Sequence, residues 1–598
     1  MSYGGAALRR AALIIGTAGV LAAGPAAAAD PILPLSQVRP GMVGVARTVV
    51  QGTTIVTFPV TVIDVQRRSS GPGGAMILIR ADGPLMERTG GIAQGMSGSP
   101  VYVAGEDGVQ RVVGALAFGA GDEANRIGGV TPIEAMLRSA GRTVSLEHTA
   151  APRPAAVPRR RLVRVSSRAA ARRAERRDGR VRALYPLTRW TISGASPRVV
   201  ARLRRTLARS GTPLDSTGGR QRRAPVPLEP GASMTALLAA GDVVVGALGT
   251  VTYVDGPLVL GFGHPFLNTG PSRFLLGDGY VYETIAAPIQ NGSYKLGEPG
   301  ALHGVIVGDR ADGLSARIAP ATGVTVVSRA RDLTRGTRAT LTTLLAPDER
   351  TMPEVTDVLQ LEPAFRVRDG IDGGTLHLTV EVRSPLFPEP IVYRNVYAAA
   401  GDVVNLSAGP LTRIVTILAQ NGVRKIPIRA IRVEQVLRRE VRAARIVGAS
   451  FEPRRARPGQ VVRLRLALQP WRGARRVVTV PVRAPALRPG PARIRVVPSD
   501  PSGFDPSPPR LGDEVDGEES TAARARRVLR SLDGVMAAAS GTPEERVAAG
   551  LRRAAMDRHD AVRLLDPGES EADRTAGLRV PVPWVIYGGR ATPRIVIR

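Results

Sequence analysis

The sequence predicts a mainly β protein divided into several domains, and three observations support this fold class. The chain has 598 residues, whereas a single domain usually takes about 100–200 residues. Its 67 glycines and 49 prolines, with only 4% aromatic residues, indicate many turns and few long helices. Short apolar stretches recur between clusters of turn residues, which is typical of strands.

The segment 41–147 has the pattern of a small all-β unit. Residues 54–65 alternate loosely between apolar and polar positions, and residues 75–80 form an apolar run, so both are predicted strands. Residues 101–118 predict a hairpin around a polar turn. A short helix is expected at 132–139, where apolar residues recur at helical spacing.

Later segments continue this pattern. Residues 198–210 predict an amphipathic surface helix, and residues 242–263 predict a run of strands. Residues 445–497 contain short strands about ten residues apart, which predicts a β-sandwich. Beyond residue 501 we expect an acidic linker and helices, the clearest of which begins at Thr542.

The first 29 residues predict a secretory signal peptide. A positively charged start precedes a short apolar run, residues 11–23, and alanines 26–29 offer a small-residue cleavage site. The apolar run is shorter than the ~20 residues that span a bilayer, and no later segment predicts a membrane helix. We therefore expect an exported protein, secreted or associated with the cell envelope, with an uncleaved anchor as the alternative. The chain has no cysteine, so disulfides and thiolate chemistry are excluded.

The net charge of +31 comes from 82 basic and 51 acidic residues. All but two of the basic residues are arginines, the exceptions being Lys295 and Lys425, and they are spread along the whole chain. The sequence lacks zinc-finger spacing, an aromatic RNA-binding motif and a recognition helix, so nucleic acid is not an expected partner. An anionic envelope surface, of lipid or of wall polymer, agrees better with this composition.

Residues 90–100, Gly-Gly-Ile-Ala-Gln-Gly-Met-Ser-Gly-Ser-Pro, carry the strongest chemical signal. A serine between glycines suits a nucleophile on a tight turn. The backbone N–H groups of Gly95 and Ser97 can then point at one spot beside the hydroxyl, as an oxyanion hole requires. The motif predicts Ser97 as the nucleophile of an acyl-transfer enzyme, above all a serine peptidase.

A serine nucleophile needs a base, and the chain offers five histidines. His264 stands apart because it lies between Gly263 and Pro265 at the end of apolar strands, although a purely structural role is the alternative. The other four histidines are less suited as the base. We expect His148 and His559 to be exposed and His377 to lie on the polar face of a strand, and His303 has no feature that favours it. No two histidines share ligand spacing with a carboxylate, so neither a metal nor another cofactor is expected.

The acid that would orient the base stays open between three aspartates. Asp82 lies fifteen residues before Ser97, but it also begins an obvious Asp-Gly-Pro turn. Asp255 is close to His264 in sequence, but a hairpin turn is the favoured explanation for it. Asp242 begins a strand and has no particular claim.

Two stretches of the chain resemble a known family. Residues 82–100 closely resemble the segment of the stage IV sporulation protein B peptidase family that carries its aspartate and its serine. Residues 249–264 look like the family's strand pair that leads to its histidine. Further matching stretches are Val113-Gly114-Ala115, Ile133-Glu134-Ala135-Met136-Leu137 and Lys295-Leu296-Gly297-Glu298-Pro299-Gly300.

The resemblance implies a chymotrypsin-like fold of two β-barrel lobes that acts on a protein or peptide substrate. It implies Ser97 as nucleophile, His264 as general base and then acid, and Asp82 as the orienting carboxylate. The serine lobe here precedes the histidine lobe, whereas the order in the sporulation peptidase is reversed. Because a triad is defined by geometry, the permuted order is compatible with the same docking of the lobes. The chain has no recognisable PDZ-like domain before the peptidase lobes.

The sequence thus predicts a mainly β, chymotrypsin-like double β-barrel peptidase with permuted lobe order, a β-sandwich-like accessory domain and a short helical C-terminal region. The predicted domains are a signal peptide (1–29), a serine/aspartate lobe (30–147), an Arg/Pro-rich linker (148–184), a histidine lobe (185–332), a β-rich accessory domain (333–442), a β-sandwich-like domain (443–500) and an acidic linker with a helical region (501–598).

The expected function is an exported serine endopeptidase with a Ser-His-Asp triad, either processing itself at the basic residues Arg159–Arg161 or acting in envelope signalling. One alternative is a catalytically silent envelope protein that keeps the peptidase fold for binding or scaffolding. A second alternative is an esterase or transacylase that uses the same triad.

Overall fold

The computed structural model of the protein describes residues 29–67, 74–120, 122, 124–142, 161–207, 214–217, 223–287, 292–508, 520–555, 558–573 and 575–598. Strands make up 46% and helices 19% of the structure, which confirms the mainly β fold class. The predicted signal peptide lies outside the described residues, except for Ala29. None of the described helices has the length and apolar character needed to cross a membrane.

Six antiparallel strands between residues 43 and 132 close into a barrel, which we call the serine barrel. Its elements are β1 (Val43–Val49), β2 (Ile55–Gln66), β3 (Met76–Ala81), α1 (Pro84–Arg88), β4 (Ser99–Ala104), β5 (Gln110–Ala120), β6 (Ile127–Pro132) and α2 (Ile133–Ser139). The strands pair in the order β1-β2-β3-β6-β5-β4, and β4 pairs again with β1, so these six strands close on themselves. Side chains that alternate along the strands, such as Val60, Val62 and Ile79, fill the interior.

Part of the predicted linker 148–184 is folded, while its residues 148–160 lie outside the described part. The next elements are β7 (Arg161–Arg164), α3 (Arg168–Arg177), β8 (Val181–Pro186), β9 (Trp190–Ser193), α4 (Pro197–Leu207) and β10 (Leu214–Thr217). β8 runs antiparallel to the end of β5, and β7 pairs with β8, so the sheet continues beyond the closed barrel. Composition suggested a solvated stretch, but Ala171 of α3 is buried in the core of the serine barrel.

A second closed barrel, the histidine barrel, follows between residues 233 and 318. Its strands are β11 (Ser233–Gly241), β12 (Val244–Asp255), β13 (Leu258–Gly261), β14 (Gly270–Ile285), β15 (Tyr294–Arg310) and β16 (Gly313–Ile318). They pair in the order β11-β12-β13-β16-β15-β14, and β14 pairs again with β11. The two barrels therefore share one strand order, although the sequence shows no repeat of fixed period.

The region predicted as accessory domain 333–442 continues the sheet of the histidine barrel. From residue 324 onward the elements are β17 (Val324–Asp332), β18 (Thr337–Leu345), α5 (Met352–Arg368), β19 (Gly374–Arg383), β20 (Ile391–Ala399), α6 (Val403–Leu406), α7 (Pro410–Gln420) and β21 (Ala430–Arg438). β18 pairs with β11, and β17 pairs with both β18 and β21. Because the predicted boundary at residue 332 falls at the end of β17, it divides a continuous sheet.

The remaining elements form a sandwich and a helical pair, except for the two-residue strand Phe504–Asp505, which pairs with β20 in the sheet of the histidine barrel. They are β22 (Ala443–Glu452), β23 (Arg455–Ala456), β24 (Val461–Pro470), β25 (Arg476–Arg483), β26 (Gly490–Arg493), β27 (Arg495–Pro498), β28 (Phe504–Asp505), α8 (Thr521–Ala538), α9 (Pro543–Ala554), β29 (Ala561–Leu565), β30 (Leu578–Pro581), β31 (Val585–Gly589) and β32 (Arg594–Ile597). The region 501–598 is thus more than helical, because β31 pairs with β22 and β32 pairs with β23 and β26 to complete the sandwich. The expected capping box at Thr542 is present at the start of α9.

The two barrels meet along a seam that positions the candidate site. Tyr102 and Ile133 of the serine barrel region pack in one apolar cluster with Tyr253 and Leu260 of the histidine barrel. Isolated β-bridges also join the barrels, between Gly52 and Val281 and between Gln94 and Tyr294. Main-chain and apolar contacts both hold the seam together.

Candidate active site

Residues 94–98, which we call the serine turn, lie between α1 and β4 at the seam. Gly95 and Gly98 have φ angles of 91° and 97°, in the left-handed region where glycine alone is unstrained. Ser97 between them is fully buried, and its Oγ makes no hydrogen bond within the described part of the chain. The sequence expectation of a serine on a tight glycine turn therefore agrees with the backbone geometry.

Strand β12 of the histidine barrel holds the serine turn by three hydrogen bonds. The Thr250 N–H donates to Ser97 O at 2.7 Å, and Thr250 Oγ1 donates to Gly95 O at 3.2 Å. Thr252 Oγ1 donates to Gly98 O at 2.8 Å. Because side chains two residues apart on a strand point the same way, both hydroxyls reach the turn. These bonds fix the serine of one barrel against a strand of the other.

Gly98 lets the serine turn and β12 approach each other closely. A Cβ atom built at this position would lie 1.9 Å from Thr250 O and 2.6 Å from Phe262 N. Both atoms belong to the backbone, so no side-chain movement could relieve the contact. Phe262 is two residues before His264, and Gly98 therefore brings the serine and histidine segments together.

Lys295 is buried beneath the serine turn. Its Nζ donates to Thr48 Oγ1 at 2.9 Å and to Thr250 Oγ1 at 3.3 Å, and its side chain packs against Gly95. Burial lowers the pKa of the Lys295 ammonium to about 7, because a charged group is poorly solvated there. The protonated Lys295 ammonium can only donate hydrogen bonds. The Thr250 hydroxyl therefore accepts from Lys295 and can donate its own hydrogen to Gly95 O.

His264 follows β13 and is fully buried. Thr131 Oγ1 donates to Gly263 O at 2.6 Å, which anchors the preceding peptide to the serine barrel. His264 Nδ1 lies 2.8 Å from Pro265 O, and because a carbonyl only accepts, we assign the ring hydrogen to Nδ1 and a lone pair to Nε2. Burial lowers the pKa of His264 to about 4, so the imidazole is neutral at neutral pH, as a general base must be.

The structure brings the Ser97 and His264 segments to the same seam but leaves the two side chains without a mutual hydrogen bond. Within the described residues, Ser97 Oγ has no partner. Thr188 Oγ1 lies 3.2 Å from His264 Nε2 and 3.3 Å from Nδ1, and the ring packs against Phe118 and Phe262. Both side chains are closed off from solvent in this state.

Asp82, the candidate acid, lies against a different partner. Its carboxylate is 3.2 Å from the guanidinium of Arg126, and the side chain is 42% exposed. None of the described carboxylates hydrogen-bonds the His264 ring. In this structure the Pro265 carbonyl, rather than Asp82, occupies the hydrogen-bonding position at Nδ1.

The two N–H groups predicted to form an oxyanion hole differ in their surroundings. The Gly95 N–H donates to Leu187 O at 2.9 Å. The Ser97 N–H has no hydrogen-bond partner among the described residues. A substrate carbonyl could use the Gly95 N–H only in place of Leu187 O.

The other candidates lie elsewhere. His303 pairs with Asp278 at 2.8 Å, and His377 is exposed on β19, as its alternation with leucines predicted. His559 is buried rather than exposed, because it lies just before β29, with Nδ1 2.9 Å from Val396 O and Nε2 3.2 Å from Asp500. The other two aspartates have structural partners: Asp255 forms an ion pair with Arg142, and Asp242 accepts a hydrogen bond from the Thr342 N–H at 2.7 Å. His148 lies outside the described residues.

Sequence reasoning did not single out Thr250, Thr252, Thr188 or Lys295. Two signals were present. Thr250 and Thr252 alternate within a strand that is otherwise apolar, so their hydroxyls had to find partners inside the protein. Lys295 is one of two lysines in an arginine-rich chain, and lysine, unlike arginine, can lose its charge when buried.

Two closed six-stranded barrels that meet beside a buried serine and histidine have the architecture of a chymotrypsin-like peptidase. Residues 17–137 match the family described as SpoIVB peptidase S55, which confirms the predicted resemblance for this part of the chain. The matched segment includes Asp82 and Ser97 and ends before His264. No curated protein and no solved structure matches the chain.

We predict that Gly98→Ala disrupts the seam. The added Cβ would meet the Thr250 and Phe262 backbone, so we expect a loss of stability ~1–3 kcal/mol beyond the backbone strain of a positive φ. The measurement is urea-induced unfolding of the purified variant. Gly108→Ala is the control, because Gly108 also has a positive φ, of 74°, but has no atom within 4 Å of the built Cβ. Equal stability of the two variants would contradict the close approach at Gly98.

Proposed function

We propose that the protein is a serine endopeptidase in which Ser97 is the nucleophile and His264 the general base. The observation that carries this proposal is the set of hydrogen bonds between β12 and the serine turn. These bonds bring the Ser97 segment of one barrel beside the His264 segment of the other. The match of residues 17–137 to a peptidase family supports the peptidase class, and the matched segment contains Ser97 but not His264. Protein or peptide substrates follow from it.

The reaction would begin with attack of Ser97 Oγ on a peptide carbonyl carbon while His264 Nε2 takes the hydroxyl proton. The Ser97 N–H, joined by the Gly95 N–H once Leu187 O has left it, would stabilise the negative oxygen. His264 would then give its proton to the leaving amine, and water would hydrolyse the acyl-enzyme. The role of Asp82 rests on the family resemblance, and its carboxylate would have to leave Arg126 to reach His264.

A catalytically silent binding protein is the second candidate. The observation that favours it is the closed state of the site, in which Ser97 and His264 are both fully buried. A silent protein would keep this state, whereas an enzyme must open it to admit a substrate. Covalent labelling of the serine distinguishes the two.

We predict that a small fluorophosphonate labels Ser97, and that Ser97→Ala abolishes labelling and lowers peptide turnover by ~10⁴–10⁶. Intact-mass spectrometry measures the adduct. Ser99→Ala is the matched control, because Ser99 is two residues away, equally buried and also without a partner for its Oγ among the described residues. Labelling of Ser97→Ala at the wild-type rate would contradict the assignment of Ser97 as the nucleophile.

Self-processing at the basic residues Arg159–Arg161 is a second part of the proposal. A peptidase could cut this stretch, which leads from the serine barrel into β7. N-terminal sequencing of the mature wild-type and Ser97→Ala proteins tests it, and we expect a terminus near residue 160 in the wild type alone. Identical termini in both proteins would remove the proposal.

We further propose that the protein is exported and contacts an anionic phospholipid surface through the exposed side of β24 and β25. Arg463, Arg465 and Arg483 lie there beside the exposed valines Val461 and Val477. Cross-strand pairing places Val461 opposite Arg483. A guanidinium near anionic headgroups contributes about 1 kcal/mol, and the valines add apolar contact.

We predict that Arg463→Glu/Arg465→Glu weakens binding to phosphatidylglycerol vesicles at least about tenfold. Vesicle co-sedimentation at constant ionic strength measures the affinity. The control is Arg329→Glu/Arg432→Glu, which changes the net charge equally on the exposed side of β17 and β21. Equal losses in the two variants would show that total charge, rather than this surface, determines binding.

A further inference from the structure

The chain runs through its own candidate site as an extended strand. Residues 184–186 of β8 pair antiparallel with the end of β5, with Leu184 opposite Ala120 and Pro186 opposite Phe118. The ladder continues one residue further, because the Leu187 N–H donates to Ala117 O at 3.1 Å. We call residues 184–187 the internal strand. Its main chain is held in the way that a sheet edge holds an added peptide.

The internal strand ends between the serine turn and the imidazole. Leu187 O accepts the Gly95 N–H at 2.9 Å, which is one of the two donors assigned to the oxyanion. The next residue, Thr188, places Oγ1 3.2 Å from His264 Nε2. The Leu187 carbonyl therefore occupies the Gly95 N–H that a substrate carbonyl would use in the proposed reaction.

A pocket beside β5 accepts the side chains of the internal strand. Leu187 is fully buried in the serine-barrel core, and Tyr185 is 3% exposed. A Cβ built at Gly119 would lie 3.1 Å from Leu187 Cδ2 and 3.0 Å from Tyr185 Oη. The glycine thus leaves the room that these two side chains fill, and the position of Leu187 is apolar.

The segment after the internal strand completes the closure. Arg189 donates to Gln94 Oε1 at 3.2 Å and stacks on Tyr294, with its guanidinium carbon 3.7 Å from the ring centroid. Gln94 belongs to the serine turn, and Tyr294 begins β15 of the histidine barrel. Residues 184–189 therefore contact both barrels across the seam, and Ser97 and His264 are buried.

We propose that the internal strand occupies the substrate-binding cleft of the Ser97 site as a built-in substrate mimic. The cleft binds an extended peptide whose residue at the position of Leu187 is aliphatic, and the internal strand must leave before another peptide can bind. This inference rests on the proposed serine peptidase function. It adds a specificity for apolar residues and a self-inhibited state.

The test compares Leu187→Glu with Leu187→Met. A glutamate cannot be buried in the apolar pocket at low cost, so the internal strand should leave the cleft, whereas methionine conserves the apolar side chain. We expect a small fluorophosphonate to label Ser97 at least tenfold faster in Leu187→Glu than in the wild type, and at a near wild-type rate in Leu187→Met. Equal labelling rates in wild type and Leu187→Glu would overturn the inference while leaving the serine peptidase in place.

The specificity is tested on the Leu187→Glu variant with two peptidyl phosphonates. They differ only in the inhibitor residue that carries the phosphorus, which is the residue expected at the position of Leu187. We expect the leucine analogue to label Ser97 at least tenfold faster than the aspartate analogue. Equal or reversed rates would contradict the apolar pocket. If neither the folded wild type nor the folded Leu187→Glu variant is labelled by any phosphonate, the proposed peptidase function itself fails. That result differs from equal labelling rates of the two proteins and from equal rates of the two analogues.

A measurement on the wild type covers the case in which Leu187→Glu does not fold. Binding of the leucine phosphonate should displace the internal strand and break the bond from the Leu187 N–H to Ala117 O. We therefore expect hydrogen–deuterium exchange in residues 184–188 to rise at least tenfold in the labelled protein, with no change in α4 as the internal control. Unchanged exchange in residues 184–188 of the labelled protein would overturn the inference.

Discussion

The hydrogen bonds from β12 of the histidine barrel to the serine turn of the other barrel are the constraint on which the candidate site depends. Thr250 and Thr252 of β12 bind three carbonyl groups of the serine turn, and Gly98 removes the side chain that would keep them apart. The same strand leads through the β12–β13 hairpin to His264. A single strand therefore positions both candidate residues, Ser97 and His264, and this arrangement does not depend on the order of the two lobes along the chain.

Desolvation gives this seam its electrostatic character. His264 and Lys295 are both buried, and burial lowers the pKa of each. In the described residues, neither has a carboxylate hydrogen-bonded to it. The imidazole is consequently neutral at neutral pH, and the pKa of the Lys295 amine lies at about 7, because burial disfavours the protonated form of both groups. Displacing the internal strand would admit water and raise the pKa of His264 toward its ordinary value.

The sequence predicted the local features of the site better than its assembly. The glycines around Ser97 gave the tight turn because positive φ angles demand glycine, and the short apolar runs gave the strands. The partner of Asp82 was not predictable, since Arg126 comes close only through the pairing of β3 with β6. Strands β7 and β8 of the predicted linker were not predicted, because the alanine- and arginine-rich composition of this region resembles that of a solvated, partly helical stretch. The closure of two barrels with the same strand order depends on pairings between distant residues, which no local pattern encodes.

The most direct test of the account is the crystal structure of the phosphonylated protein. We expect the phosphorus to be bonded to Ser97 Oγ, the phosphonyl oxygen to accept from the Ser97 and Gly95 N–H groups, and His264 Nε2 to lie within ~3.2 Å of an adduct oxygen. The bond from the Thr250 N–H to Ser97 O should be unchanged. An adduct on another residue, or His264 out of reach of the adduct with β12 detached from the serine turn, would contradict the account.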